Sequence, residues 1–180
     1  DCIMFARRLE KYNIAWIEDI APWHYTKHYE KIANSTCVPI CTGEDIYLAE
    51  NFEPLMKNGG VSVVHPDLLT VGGALEMKKL GNMCDKYGVA MAIHMAESPI
   101  AMMGAIHCAA AVQNILAVEF HSIDIPWWND LANGIFDILT IDAKGSAPKR
   151  AIVPFGFRTL LYCSHNSSKG IIMSHLHFVV

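Results

Sequence analysis

The chain has 180 residues, of which 52% are hydrophobic and 18% charged, with a formal net charge of −4. That length allows one domain with a real core, and the apolar content excludes a disordered chain. The acidic balance and the lack of any Lys/Arg cluster interleaved with aromatics exclude a general nucleic-acid binder, and no apolar run reaches the roughly 18 residues that a bilayer requires.

The first segment, DCIMFARRLEKY, is an amphipathic helix rather than a signal peptide, with Cys2, Phe5, Ala6 and Leu9 on one face. It stops at Asn13, and a strand carries Ala15 to Ile20. Residues 24–34 form a helix entered after Pro22, and the next strand ends at Thr42-Gly43-Glu44, where glycine lets the backbone turn. Residues 46–57 read as a helix with Leu48, Phe52, Leu55 and Met56 inward. Asn58-Gly59-Gly60 stops it before a strand over Val61–Val64.

Gly72-Gly73 opens a helix running to Tyr87, with Leu75, Leu80, Met83 and Cys84 as core positions and Gly88 as its cap. A strand leads to His94, and Ser98-Pro99 starts a helix from Ile100 to about Val112. A further strand ends at Glu119. Pro126 to Leu131 reads as a structured loop packed by Trp127 and Trp128, and Ile135 to Ile141 as a candidate strand. From about Lys144 the pattern is irregular, which divides the chain into a βα region, 1–143, and an atypical tail, 144–180. The tail is expected to be disordered or the product of an altered reading frame, which comparison of the three frames of the coding DNA tests.

Six cysteines (Cys2, Cys37, Cys41, Cys84, Cys108 and Cys163) are scattered without a CxxC pair. They read as reduced core cysteines of a cytoplasmic protein. His24 and His28 are spaced for one helical face, but no third zinc ligand accompanies them. His175 and His177 lie in the irregular tail.

Five polar residues end the successive apolar runs: Glu18, Glu44, Asp67, His94 and Glu119, separated by 26, 23, 27 and 25 residues. A parallel barrel of βα units needs about that many residues per unit and gathers its chemistry where the strands end. A lone Glu at a strand end is ordinarily a solvated charge. Two in consecutive units, Glu18 and Glu44, repel each other unless a cation lies between them, and oxygen-only ligands favour a hard ion such as Mg²⁺. Asp67, one strand before His94, can fix the tautomer of His94 and make it a better general base. Glu119 can hydrogen-bond a developing enolate or pair with a cation. His65, Glu97, His121 and Asp124 lie near the same ends as lining candidates. A full barrel takes roughly 200 residues or more, so five strands make either an open sheet or part of a larger barrel.

The segments WIEDI, CTGED, HPDLLTVGG, AIHMAESPI and NILAVEFHSIDIPWWNDL resemble the C-terminal barrel of the enolase superfamily, mandelate racemase/muconate lactonizing enzyme branch, over about residues 1–135. The resemblance implies an α/β fold: the C-terminal part of a (β/α)₇β TIM-type barrel, without its N-terminal strands and capping domain. It implies Mg²⁺ bound by Glu18 and Glu44 as second and third ligands, an Asp67–His94 base dyad, and Glu119 as the enolate's partner. The first metal ligand and the Lys-bearing strand would precede residue 1. Ile20 stands where the family usually has Pro, and His65 where Gln is common.

HMAESPI and FHSIDIPWW are most similar to sugar-acid dehydratases of that branch. The implied reaction removes the proton next to a carboxylate and then expels water from a sugar acid. The alternatives are a racemase or epimerase of the same superfamily and a non-catalytic remnant of the barrel. The expectations that follow are an isolated fragment without activity, a full-length protein that forms a homo-oligomer, and no nucleic-acid or membrane partner.

Overall fold

The computed structural model describes residues 1–120 and 125–132. Five parallel strands alternate with helices in chain order: α1 Cys2–Leu9, β1 Ile17–Glu18, α2 Thr26–Ala33, β2 Ile40–Thr42, α3 Glu53–Lys57, β3 Val63–Val64, α4 Ala74–Tyr87, β4 Ala90–Ile93, α5 Pro99–Ala110 and β5 Ile115–Val118. The sheet order is β1-β2-β3-β4-β5, so each helix returns the chain to the strand next door. This is the repeat of a TIM-type barrel, and the expected α/β partial barrel is what the chain forms. Among the described residues no helix is long and apolar enough to cross a membrane.

Strand alternation divides the apolar residues between the two sheet faces. The larger cluster packs the strands against the helices, with Ile40, Val64, Met91 and Ile93 meeting Phe52, Leu55, Met77, Leu80 and Met102. A smaller one, Cys41, Val63 and Ala92 with Trp16, Ala90 and Ala117 beside them, lines the inner face. The polar strand ends stand above this inner face.

Local signals act where the residues place them. Asn13 takes a left-handed φ of 50° after α1, and Gly88 one of 67° after α4. The Ser98 side chain accepts a hydrogen bond from the Ala101 N–H at 3.3 Å, capping α5. Gly43 has no room for a side chain: a Cβ there would lie 2.8 Å from the backbone of His65.

Some expectations need correction. The strands are shorter than the apolar runs: the one expected over Ala15–Ile20 is Ile17–Glu18. Residues 46–57 do not form one helix, since a 3₁₀ turn, Ala49–Phe52, precedes α3, with Pro54 in its first turn. Leu48 takes a φ of 59° and is exposed. Leu75 is 81% exposed, because Met77, Leu80, Gly81 and Cys84 form the inward stripe of α4 and Leu75 lies off it. His24 precedes α2, so it shares no helical face with His28; both rings lie against Tyr25. Trp128 is buried as expected, whereas Trp127 is exposed. Cys41, Cys84 and Cys108 are buried and free, Cys2 is half-buried and Cys37 exposed. His121, Asp124, Cys163, the candidate strand over Ile135–Ile141 and the tail 144–180 lie outside the described residues.

Candidate active site

All five strand-end residues come together at the carboxyl end of the sheet. Glu18 closes β1, Glu44 follows β2 by two residues, and Glu119 follows β5 directly. Asp67 and His94 pair across the ends of β3 and β4 in an isolated parallel bridge.

Asp67 is held by several hydrogen bonds. One carboxylate oxygen accepts the backbone N–H groups of Leu69 at 2.7 Å and Thr70 at 3.0 Å. Its other oxygen lies 3.0 Å from Nδ1 of His94. Burial pushes its pKa up, but the bonds from His94, Glu97 and the two backbone amides outweigh that and hold it well below the usual carboxylate range. Because Asp67 is ionised and can only accept, Nδ1 of His94 carries the hydrogen and Nε2 is the reactive nitrogen.

That Nε2 faces Glu44 at 3.3 Å and Glu119 at 3.7 Å. Burial lowers the pKa of His94, yet the Asp67 hydrogen bond and the charges of Glu119, Glu44 and Asp67 raise it to about 9. Glu97 joins the far side of the dyad. Burial, then its hydrogen bond to Asp67 and the charge there, push its carboxyl up to about 7. Glu119 accepts the Met95 N–H at 3.2 Å, which fixes the side chain over β4.

Glu18 and Glu44 are joined by a third carboxylate. Asp19 leaves β1 with φ 46°, which turns its side chain back toward Glu44, and oxygens of Glu18, Asp19 and Glu44 lie within 4.8 Å of one another. The Thr42 hydroxyl donates to Asp19. Desolvation raises the Asp19 pKa, the Thr42 hydrogen bond opposes it, and the charges of Glu18 and Glu44 add to the net rise. Three converging carboxylates are the donor set of a hard divalent cation, so the residues fit Mg²⁺. Sequence reasoning passed over Asp19, since strand alternation assigns the residue after Glu18 to the opposite face; only its positive φ returns it.

His65, read from sequence as a lining residue, is more central than that. It is 3% exposed, and its Nδ1 lies 2.9 Å from the Ala92 carbonyl oxygen. Its Nε2 is buried without a hydrogen-bond partner among the described residues, aimed between Glu119 at 3.5 Å and Glu18 at 3.8 Å. Burial lowers the pKa of His65, but Glu119 and Glu18 raise it to a net increase. Trp16 donates its indole N–H to the second oxygen of Glu18 at 2.9 Å. Burial, followed by the charges of Glu18, Asp19, Glu119 and Glu44, pushes the Cys41 thiol well above its ordinary range.

The chain matches the family described as enolase C-terminal domain-like over residues 1–142. It is 36% identical over 126 residues to a D-xylonate dehydratase of Haloferax volcanii, covering 70% of this chain and 31% of that protein. It is 30% identical over 113 residues to a D-galactonate dehydratase of Xanthomonas campestris pv. campestris, covering 63% of this chain and 30% of that one. Among solved structures it resembles a mandelate racemase/muconate lactonizing enzyme-like protein from Rubrobacter xylanophilus. The identity there is 34% and the TM-score 0.69, over 72% of this chain and 33% of the other. The chain therefore spans about a third of the length of the relatives it matches.

Proposed function

Since the chain belongs to the enolase C-terminal domain-like family, we propose that it carries the base and cation-binding part of an active site that dehydrates a sugar acid. One observation carries the reading: His94 is held by Asp67 through Nδ1, and its Nε2 faces a basin walled by Glu44 and Glu119. That is the arrangement of an oriented general base opposite groups that manage developing negative charge. The relatives named D-xylonate and D-galactonate dehydratase support dehydration rather than racemisation and a sugar acid as the substrate.

Glu18, Asp19 and Glu44 would hold Mg²⁺. When bound there, the ion supplies charge stabilisation for an enediolate and offsets the carboxylate field that keeps His94 protonated. His94 Nε2 takes the proton next to the substrate carboxylate, and Asp67 stabilises the imidazolium that results. Glu119, fixed by the Met95 N–H and within 3.7 Å of the same nitrogen, would in its protonated form donate a hydrogen bond to the enolate oxygen. The imidazolium then returns its proton to the β-hydroxyl, whose C–O bond breaks, and water leaves. The product is an enol that tautomerises to the 2-keto-3-deoxy acid.

The test is a panel of sugar acids including D-xylonate and D-galactonate, given with Mg²⁺ to a full-length protein that carries this chain. Formation of a 2-keto-3-deoxy acid from at least one of them is the expected result. Epimerised substrate with no keto acid would replace dehydration with racemisation.

A further inference from the structure

We propose a second cation position on the inner face of the sheet, for a borderline-soft divalent metal of the Zn²⁺ class, formed by Glu18, Cys41 and His65. Three adjacent strands supply it. Glu18 and Cys41 are register partners between β1 and β2, and Cys41 and Val63 between β2 and β3. His65 lies two residues beyond Val63, so alternation places it on the same face. A carboxylate oxygen, the thiol sulfur and a ring nitrogen of these three all lie within 4.8 Å of one another. Nε2 of His65 is 3.8 Å from Oε1 of Glu18. Tetrahedral zinc, with bonds of about 2.0 Å to nitrogen and oxygen and about 2.3 Å to sulfur, sets its ligand atoms roughly 3.3–3.6 Å apart, and the Glu18–His65 pair lies close to that spacing.

The groups behind the ligands are arranged as metal sites arrange them. The Ala92 carbonyl can only accept, so Nδ1 of His65 carries the hydrogen toward it and Nε2 presents its lone pair. That nitrogen is buried and makes no hydrogen bond among the described residues, with the carboxylates of Glu119 at 3.5 Å and Glu18 at 3.8 Å facing it. Trp16 holds Oε2 of Glu18, which leaves Oε1 facing the ring. Cys41 is fully buried, and with its proton released to solvent a thiolate, a carboxylate and a neutral imidazole make a dication site of zero net charge. The outer set of Glu18, Asp19 and Glu44 offers oxygen alone and selects a hard ion; the inner set offers sulfur and nitrogen and selects a softer one.

Both positions use Glu18. A metal in the inner one withdraws Glu18 from the outer one, so Zn²⁺ would act as an inhibitor of the proposed dehydratase chemistry. This consequence rests on the proposed function; the inner site does not.

The experiment titrates Co²⁺ into the 180-residue chain with Cys2, Cys37 and Cys163 replaced by Ser, so that the two exposed or half-buried thiols and the one outside the described residues add no signal. The expected result is a thiolate-to-cobalt charge-transfer band that saturates at one Co²⁺ per chain, together with the visible bands of four-coordinate cobalt. Cys41→Ser, checked for folding by circular dichroism, must lose the charge-transfer band. His65→Gln must weaken Co²⁺ binding at least tenfold, and this arm stands if the first variant fails to fold. Absence of the band in the parent, its survival in folded Cys41→Ser, or unchanged affinity in His65→Gln would overturn the site. Weaker Co²⁺ binding in millimolar Mg²⁺ supports the sharing of Glu18. Binding indifferent to Mg²⁺ would overturn that sharing and the inhibition while the thiolate band still decides the site.

Discussion

His94 stands between two kinds of neighbour. Asp67 holds it from behind at 3.0 Å, while Glu44 and Glu119 face its other nitrogen across the basin. All three carboxylates favour the imidazolium, which is why its pKa rises from 6.5 to about 9. A group raised in the folded state stabilises the fold fully below its unfolded pKa, and that stability is lost as pH rises through the folded value. Glu97, raised from 4.5 to about 7, acts in the same sense. Asp67 is depressed, so its contribution is present above about 3.8 and is lost on acidification. In the absence of divalent cations, urea denaturation should therefore show stability falling between pH 6.5 and 9, and NMR titration should place the His94 ring near pKa 9. His94→Asn should remove most of that slope. A flat profile over this range would contradict the assigned field.

At this scale the sequence shows residue types and spacing but not orientation. Glu18, Glu44, Asp67, His94 and Glu119 could be picked out because each ends an apolar run. Asp19 could not, because a single left-handed φ decides where its side chain goes. The sequence places His65 near the mouth, but its burial and the direction of Nε2 depend on the approach of β4, which supplies the Ala92 carbonyl.

Among the elements, the βα order is legible because each strand is a short apolar run and each helix carries its own stop signals. Strand lengths are less so, since the hydrogen-bonded overlap between neighbours is shorter than the apolar run that feeds it. The helical faces follow the dominant stripe rather than every apolar residue, which leaves Leu75 in solvent and takes Met77 inward. The turn after β2 links element to site. Gly43 lies against the backbone of His65, so its missing side chain lets β2 and β3 close up at the level where their polar residues emerge. Gly43→Ala is expected to cost about 1–3 kcal/mol, read by chemical denaturation, because the obstructing atoms are backbone and cannot rotate away. It should also displace His65. A variant as stable as the parent would show that the strand ends can separate without penalty.

Over the whole molecule, the sheet separates two tasks. Its helix-facing side carries the larger apolar cluster, and its inner side carries a few small apolar residues beneath a layer of acids and imidazoles. Membership in the enolase C-terminal domain-like family and likeness to named sugar-acid dehydratases agree with what that basin can do chemically. In the proposed function His94 removes the proton next to a sugar-acid carboxylate. The direct measurement is exchange of that proton in deuterated water, followed by NMR with Mg²⁺ and the best substrate, in a full-length protein carrying this chain and in its His94→Asn variant. Exchange in the parent and a loss of at least about 100-fold in the variant are expected, the contribution of a positioned general base; undiminished exchange in His94→Asn would remove His94 from that role.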